Sequence, residues 1–339
     1  LTQKKDIVIK GSSILVTGGA GFIGSALVRK LETLKCDVTI IDNLVAGRQD
    51  HLDGCKARLV EGDIRNKELL KEIMKRDSPS LCYHLAAEPF IPKGFQNPEI
   101  MFDVNTMGTI SVLKACQAGK VQRMIYYSTS EVYGSAKTLP MSESHPTLPQ
   151  SMYALAKFAG DRACFILWKE RNIPVVILRQ FNCFGPREAQ PYIIPEIIRQ
   201  FNIGNELHLG NIEAKRDFLW VYDHCEAVTK LMEVPDIEGT VVNCGRGKNW
   251  SIREIVDKVA KIMNREPYTI IQERKRLRPY DVDELLCDNT LFDQLTGGIK
   301  YTDFEDGLKW LVDWYHRHGD KWSWEREKEM SIEALPKKK

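Results

Sequence analysis

Two groupings in the middle of the chain have residue types and spacing suited to proton transfer. Tyr153 and Lys157 stand four apart in MYALAKFAGDRACFIL, a segment of helical pattern, so both side chains project from one helix face about a turn apart. An ammonium held there favours phenolate over phenol and draws a tyrosine pKa from about 10 towards neutrality, which makes Tyr153 a usable general base. Upstream, RMIYYS is a β-rich run ending in Ser128, Thr129, Ser130 and Glu131. It sets hydroxyls and a carboxylate at a strand's carboxyl end, where open α/β sheets bind ligands. A Tyr/Lys pair is also what a plain surface helix would show, and the pattern is too short to stand unsupported.

Support comes from the first fifty residues. SILVT, GGAGFIG, SALVRKLETL and VTIID read in turn as strand, glycine turn, helix and strand, a βαβ unit of about 30 residues. Gly18, Gly21 and Gly24 are spaced GxxGxxG, one residue wider at the first gap than the common dinucleotide fingerprint. They serve the same ends: a tight turn, backbone close to a pyrophosphate, and a helix N-terminus that favours anions. Asp42 ends the second strand, where a carboxylate accepts the ribose hydroxyls and repels a 2′-phosphate; this favours NAD, with Arg48 nearby leaving NADP open.

Alternation continues through ARLVEGD, NKELLKEIMK, LCYHLAA, a long helical stretch from Asn97 to Ala118, RMIYYS, the Tyr153 helix and IPVVILRQF. Near-continuous apolar strands between helices predict an α/β fold, a doubly wound parallel sheet with helices on both faces. Asp63, past the third strand, is placed to meet an adenine ring or to cap the following helix, and Ala86 and Ala87 leave room for cofactor or simply pack. His84 reads as a core or capping histidine. After about Asn182, glycines and prolines punctuate shorter mixed elements. The expected division is 1–181 for the dinucleotide-binding domain and 182–339 for a smaller, partly discontinuous mixed α/β lobe, ending in a polar helix and a solvated basic tail.

Composition narrows the partners. The 339 residues can bury a large core, and 43% hydrophobic with 28% charged residues is ordinary for a soluble globular chain. Forty-eight Lys and Arg against 46 Asp and Glu give a formal charge of +2, so an anionic ligand needs local basic residues. No basic stripe with interleaved aromatics points to nucleic acid. No apolar run reaches the roughly 18 to 20 residues of a membrane span, and LTQKKDIVIKGSS lacks a signal-peptide core, so a cytoplasmic protein is expected. The nine cysteines are scattered without a CxxC pair; Cys82, Cys116 and Cys164 lie in apolar surroundings and read as reduced core residues, with neither a disulfide framework nor a metal site.

In order along the chain, GGAGFIG, Asp42, HLAA, STSEVYG, YALAK, FNCFGPR, RDFLWVYD and RPYDVDE resemble the extended short-chain dehydrogenase/reductase family in its nucleotide-sugar epimerase/dehydratase branch, from roughly Ser12 to Trp314. The resemblance implies a Rossmann-type domain holding NAD tightly, a C-terminal lobe holding a nucleoside-diphosphate sugar, and a homodimer built on the Tyr153 helix and the 97–118 helix. It implies that Thr129 hydrogen-bonds the sugar 4-hydroxyl, Tyr153 deprotonates it, and Lys157 binds the nicotinamide ribose while tuning Tyr153. Asn182 would touch the sugar or its phosphate, and Arg216 and Arg278 would grip the diphosphate, for which planar guanidiniums are suited. Phe22, Ile23, Asn43, Ile64, Leu85, Asn105 and Ser128 join the expected cofactor contacts, and Glu88, Lys93 and Arg187 the expected substrate contacts. Lys93, in HLAAEPFIPKGF where relatives place a small hydroxyl-bearing run, reads more readily as exposed.

Three reactions of this branch share C4 oxidation and then diverge. A 4-epimerase needs no further acid or base, whereas a 4,6-dehydratase must remove the C5 proton and expel the C6 hydroxyl. Glu131, two residues beyond Thr129, is the candidate carboxylate; similar TSE segments occur in GDP-mannose 4,6-dehydratases and in UDP-glucuronate decarboxylases. Ser130 departs from the Asp that many dTDP-glucose dehydratases carry beside this Glu. LPQSM before Tyr153 lacks the long insertion of xylose-forming decarboxylases, which moves the reading towards the 4,6-dehydratase, with an NDP-sugar 4-epimerase and a UDP-glucuronate-type decarboxylase as the alternatives. A non-catalytic NAD-binding regulator would be expected to lack Tyr153 or Lys157, and both are present.

Overall fold

The computed structural model describes residues 6–188, 192–277 and 282–319. Its first part runs β1 (Ser13–Thr17), α1 (Phe22–Thr33), β2 (Asp37–Asp42), β3 (Arg58–Glu61), α2 (Lys67–Asp77) and β4 (Leu81–His84). After these come α3 (Lys93–Gln96), α4 (Pro98–Phe102), a π-helical run Asp103–Gly108, α5 (Thr109–Ala118), β5 (Arg123–Thr129), a 3-10 turn Ser130–Tyr133, α6 (Met152–Arg171) and β6 (Val175–Gln180). The second part contributes β7 (Asn182–Phe184), α7 (Ile193–Ile203), β8 (Glu206–Leu209), β9 (Lys215–Trp220), α8 (Val221–Glu233), β10 (Val241–Cys244), β11 (Asn249–Ser251), α9 (Ile252–Met263), β12 (Thr269–Gln272), α10 (Thr290–Thr296) and α11 (Phe304–His318).

Seven strands form one parallel sheet in the order β3-β2-β1-β4-β5-β6-β10, a Rossmann-type arrangement. The period of two in each strand decides which face a residue serves. Ile14, Val16, Val38, Ile40, Tyr83 and Ile125 pack on one side with α1 and α8. Leu15, Ile41, Cys82, Met124 and Tyr126 pack on the other with α2, α5 and α6. With both faces covered, β5 is buried throughout, which is why RMIYYST reads as a continuous run.

Two returns knit the later residues into this sheet. α8 lies on α1, with Lys30 bonded to Glu226 at 2.6 Å, and β10 adds the seventh strand beside β6. The remaining later elements close a separate core of α7, α9 and α11 against β8, β9 and β11. In it Trp250 stacks on Phe304 with centroids 3.9 Å apart. A capping box at Ser251 and Glu254 starts α9, a cap worth about 1 kcal/mol.

One expected helix is three pieces. Asn97 caps α4 through the Ile100 N–H, Pro98 takes the first helical position, and the π run then shifts the register before α5. The expected C-terminal polar helix and basic tail lie outside the described residues.

Candidate active site

The order of strands reverses between β1 and β4, and the crevice above their carboxyl ends opens into a cavity of about 840 Å³ lined from both parts of the chain. At one end β1 runs into the glycine turn. Gly18 has φ +73°, and a Cβ there would stand 2.7 Å from the Ala86 nitrogen; a Cβ on Gly24 would stand 2.1 Å from the Gly18 oxygen. Both positions therefore exclude any other residue. Gly21 caps α1 without a side chain, so the first turn presents bare N–H groups to the cavity.

Gly18, Gly21, Phe22, Ile23 and Gly24 line this end together with Asp42, Asn43, Asp63, Ile64, Leu85, Ala86 and Ala87. Asp42 is buried and accepts the Ala20 N–H at 3.0 Å and the Leu44 N–H at 2.9 Å. Burial pushes its pKa up, and those two bonds oppose the shift. Each carboxylate oxygen keeps acceptor capacity for a ribose hydroxyl. Asp50 engages Arg48 at 2.7 Å, drawing its guanidinium to a neighbouring carboxylate. Asp63 is not a helix cap: Asn66 caps α2, while Asp63 takes Arg65 at 2.7 Å, and that hydrogen bond holds its carboxyl below the usual range.

Behind the cofactor end a buried hydrogen-bond chain fixes the loops. Ala86 N–H reaches the Thr17 hydroxyl at 3.1 Å, Thr17 meets His84 Nδ1 at 2.7 Å, and His84 Nε2 meets the Thr109 hydroxyl at 2.9 Å. Thr109 donates to the Asn105 carbonyl at 2.7 Å, which leaves its oxygen to accept from Nε2–H and makes Nδ1 the acceptor for Thr17. His84 is thus a neutral core histidine, its pKa pushed down to about 3 by burial. Asn105, carried on the π run, pairs reciprocally with the Glu88 backbone at 2.8 and 3.1 Å. Its side chain holds the loop after β4; it does not line the cavity. Glu88 and Lys93, joined at 2.6 Å, staple the same loop and also lie off the cavity wall, which here consists of Pro89, Phe90, Ile91, Pro92 and Phe95.

The candidate reactive groups meet where β5, its 3-10 turn and α6 converge. Ser128, Thr129, Ser130, Glu131, Tyr153 and Lys157 all line the cavity. The Thr129 hydroxyl accepts the Glu131 N–H at 3.2 Å and caps the turn. Ser151 caps α6, placing Tyr153 in its first turn and Lys157 one turn on. Lys157 is buried, with Nζ 4.4 Å from the Tyr126 ring centroid, and burial pushes its pKa down to about 7. Tyr153 is half-buried, yet desolvation pushes its pKa up, the negative Glu131 adds to the rise, and a Thr129 hydrogen bond offsets part of it. The expected phenol drawn towards neutrality is therefore not what the protein alone produces: loss of water around the hydroxyl, with Glu131 beside it, sets the direction.

At the far end stand Asn182, whose buried Oδ1 has no hydrogen-bond partner, and Arg216, which donates to the Lys215 carbonyl at 2.9 Å. Arg278 lies outside the described residues. Arg187 is off the cavity wall, with φ +70° and a buried Nη1 without a partner. Sequence reasoning missed Glu196, Arg199 and Arg276. Buried Glu196 holds Arg199 at 3.0 Å and Arg276 at 3.1 Å on the cavity wall. The three-residue spacing of Glu196 and Arg199 in IIPEIIRQF was a readable sign of a helical ion pair; nothing local marked Arg276.

Residues 15–311 match the family model described as GDP-mannose 4,6 dehydratase. A dTDP-glucose 4,6-dehydratase of Mycobacterium tuberculosis is 31% identical over 330 residues, spanning 95% of this chain and 97% of that protein. Among solved structures, the UDP-glucose 4-epimerase of Thermotoga maritima with UDP-glucose has a TM-score of 0.84 at 27% identity, over 90% of this chain and 99% of that one. The dTDP-glucose 4,6-dehydratase of Streptomyces venezuelae with NAD and TYD bound also has a TM-score of 0.84, at 26% identity over 91% and 98%. The bare α1 N-terminus, the two obligatory glycines and the Asp42 carboxylate fit NAD, the cofactor of this family. The chain belongs to the GDP-mannose 4,6 dehydratase family of extended short-chain dehydrogenases/reductases and is an NAD-dependent enzyme of the nucleotide-sugar dehydratase and epimerase kind.

Proposed function

We propose that the enzyme is a nucleotide-sugar 4,6-dehydratase, converting an NDP-hexose to an NDP-4-keto-6-deoxyhexose and water. The observation that carries this reading is Glu131: its carboxylate lines the same cavity as Thr129 and Tyr153, and its charge acts on the Tyr153 phenol. Thr129 orients the sugar 4-hydroxyl, and Tyr153 takes its proton. Lys157, held between β5 and α6, meets the nicotinamide ribose and supplies positive charge to the phenolate. Bound NAD supplies the hydride acceptor for C4 and later the hydride donor for C6. Glu131 removes the C5 proton acidified by the ketone and passes it to the departing C6 hydroxyl by way of Ser130, so water leaves; the proton that Tyr153 took from the 4-hydroxyl is the one returned to C5, which frees Tyr153 for the next turnover. Asn182, with an acceptor oxygen to spare, contacts the sugar, and Arg216, Arg278 and Arg276 hold the diphosphate.

Ser130, in place of a second carboxylate, favours one further reading. An NDP-sugar 4-epimerase needs no acid or base beyond Tyr153, and the similarity to an epimerase structure is as high as to a dehydratase. A UDP-glucuronate-type decarboxylase is the third member of the set. Glu131→Gln separates the first two. On a neutral hexose, a dehydratase variant accumulates enzyme-bound NADH and takes no deuterium into C5; an epimerase is little affected. Dehydration by that variant at the wild-type rate would overturn the role of Glu131.

A homodimer through α6 and the 97–118 segment is part of the proposal. No helix among the described residues is long and apolar enough to cross a membrane. Yet Leu155 and Ile166 on α6 are 41% and 46% exposed, and Met107 on the neighbouring π run is 54% exposed, an apolar face that a second copy would cover. Nine free thiols suit a reducing, cytoplasmic setting.

A further inference from the structure

A buried ion pair lies directly behind the reactive groups. Asp161 follows Lys157 by four residues on α6, fully buried, and one of its oxygens accepts both the Ser128 hydroxyl at 3.2 Å and Arg179 Nε at 3.0 Å. Its other oxygen is buried without a partner. Arg179, on β6, is fixed in turn: its guanidinium lies 4.9 Å from the Tyr133 ring centroid and bonds the Glu143 carbonyl at 3.4 Å. Asp161 therefore ties β5, β6 and α6 together immediately beneath Thr129 and Lys157. A buried carboxylate left one donor short is costly for stability alone, which calls for another return.

The groups facing Lys157 show what that return is. From α6 come Cys164 and Asp161, with Tyr153 one turn before on the same helix, from β5 the Tyr126 ring, and from β4 His84, which burial keeps neutral. Burial also holds Cys164 and Tyr126 in their uncharged forms. Asp161 alone brings a carboxylate to act on the ammonium, opposing the desolvation that pushes Lys157 down.

We propose that Asp161, clamped by Arg179, is a positioning residue: it holds Ser128 and the Lys157 turn in register and supplies the buried negative charge that keeps Lys157 an ammonium. Its consequence for catalysis rests on the reading of Tyr153 and Lys157 as the proton-transfer pair. The test titrates Lys157, isotope-labelled at its ε carbon and assigned by its loss in Lys157→Arg, in the NAD-loaded enzyme. Asp161→Asn is expected to lower the midpoint by about one pH unit. With dTDP-glucose and UDP-glucose as probes, it should cut formation of bound NADH about ten-fold while leaving KM nearly unchanged. Asp161→Glu, which keeps the charge, should restore the midpoint. If Asp161→Asn fails to fold because Arg179 is left uncompensated, D161N/R179Q removes both charges and carries a smaller shift in the same direction, since the lost guanidinium offsets part of the lost carboxylate. An unmoved midpoint overturns the proposal, and so does lost turnover with an unmoved midpoint, the mark of a purely structural role. Tyr153→Phe is the separate control: retained turnover there overturns the proton-transfer reading, while the Lys157 midpoint still reports on Asp161.

Discussion

Asp42 and the Tyr153/Lys157 pair each make a sharp demand at the residue scale. Asp42→Ala removes a charge-assisted ribose acceptor, so NAD should bind more weakly by about 1.5 to 3 kcal/mol in calorimetric titration. An unchanged Kd would mean the ribose is held elsewhere. Tyr153→Phe removes the base and little volume; turnover should fall by orders of magnitude while sugar binding persists, and near-normal turnover would mean another group takes the proton. Lys157 also makes stability depend on pH. Its folded pKa of about 7 lies below its unfolded value, so the folded state binds fewer protons between about pH 7 and pH 10. The cost of burying the ammonium is full below that window and is relieved as pH rises through it. The wild type should therefore gain up to a few kcal/mol relative to Lys157→Met from pH 7 to pH 10, read from urea midpoints of the cofactor-free protein. A flat difference would show that Lys157 titrates at its ordinary value. Tyr153, Lys157 and Asp42 were legible because each rests on a local period or a strand end. Asp161 and Arg276 were not, since their partners lie on other elements, and burial reversed the expected direction for Tyr153.

At the scale of elements, α6 has two working faces. One carries Tyr153, Lys157 and Asp161 inward; the other leaves Leu155 and Ile166, eleven residues apart and so three turns along one stripe, in the open. Leu155→Glu with Ile166→Glu should convert a dimer to a monomer in light scattering while leaving the fold intact, and a wild type that is already monomeric would remove this interface. The π run serves the loop after β4 through Asn105. Asn105→Ala strands the buried Glu88 backbone groups and should cost about 1 to 3 kcal/mol in thermal unfolding. Strand and helix alternation to β6 was readable because apolar runs and 3.6-residue stripes repeat without interruption. The π run was not, since helical periodicity in 97–118 carries no mark of an inserted residue, and its register answers to contacts such as the Thr106 hydroxyl on the Ala156 carbonyl at 2.8 Å.

For the molecule as a whole, the cavity exists because two parts of the chain share it. The sheet supplies the cofactor end and the reactive groups, while α7, β9 and the segment around Arg276 supply the cationic far end. The change in composition after Asn182 is where the sequence places the start of a smaller, partly discontinuous lobe. It did not reveal which elements return to the first sheet, α8 and β10, because a four-residue apolar strand such as VVNC looks alike in either place. A sugar nucleotide spanning both ends would be enclosed with its C4, C5 and C6 positions near Thr129, Tyr153 and Glu131. The reaction at those carbons is the central claim, and mass spectrometry tests it most directly. The NAD-loaded enzyme is incubated with a panel of UDP-, GDP-, dTDP- and CDP-hexoses together with UDP-glucuronate. Loss of one water from a neutral hexose, abolished in Glu131→Gln, is the predicted result; a product of unchanged mass or loss of carbon dioxide from the glucuronate, with no dehydration of any hexose, would contradict it.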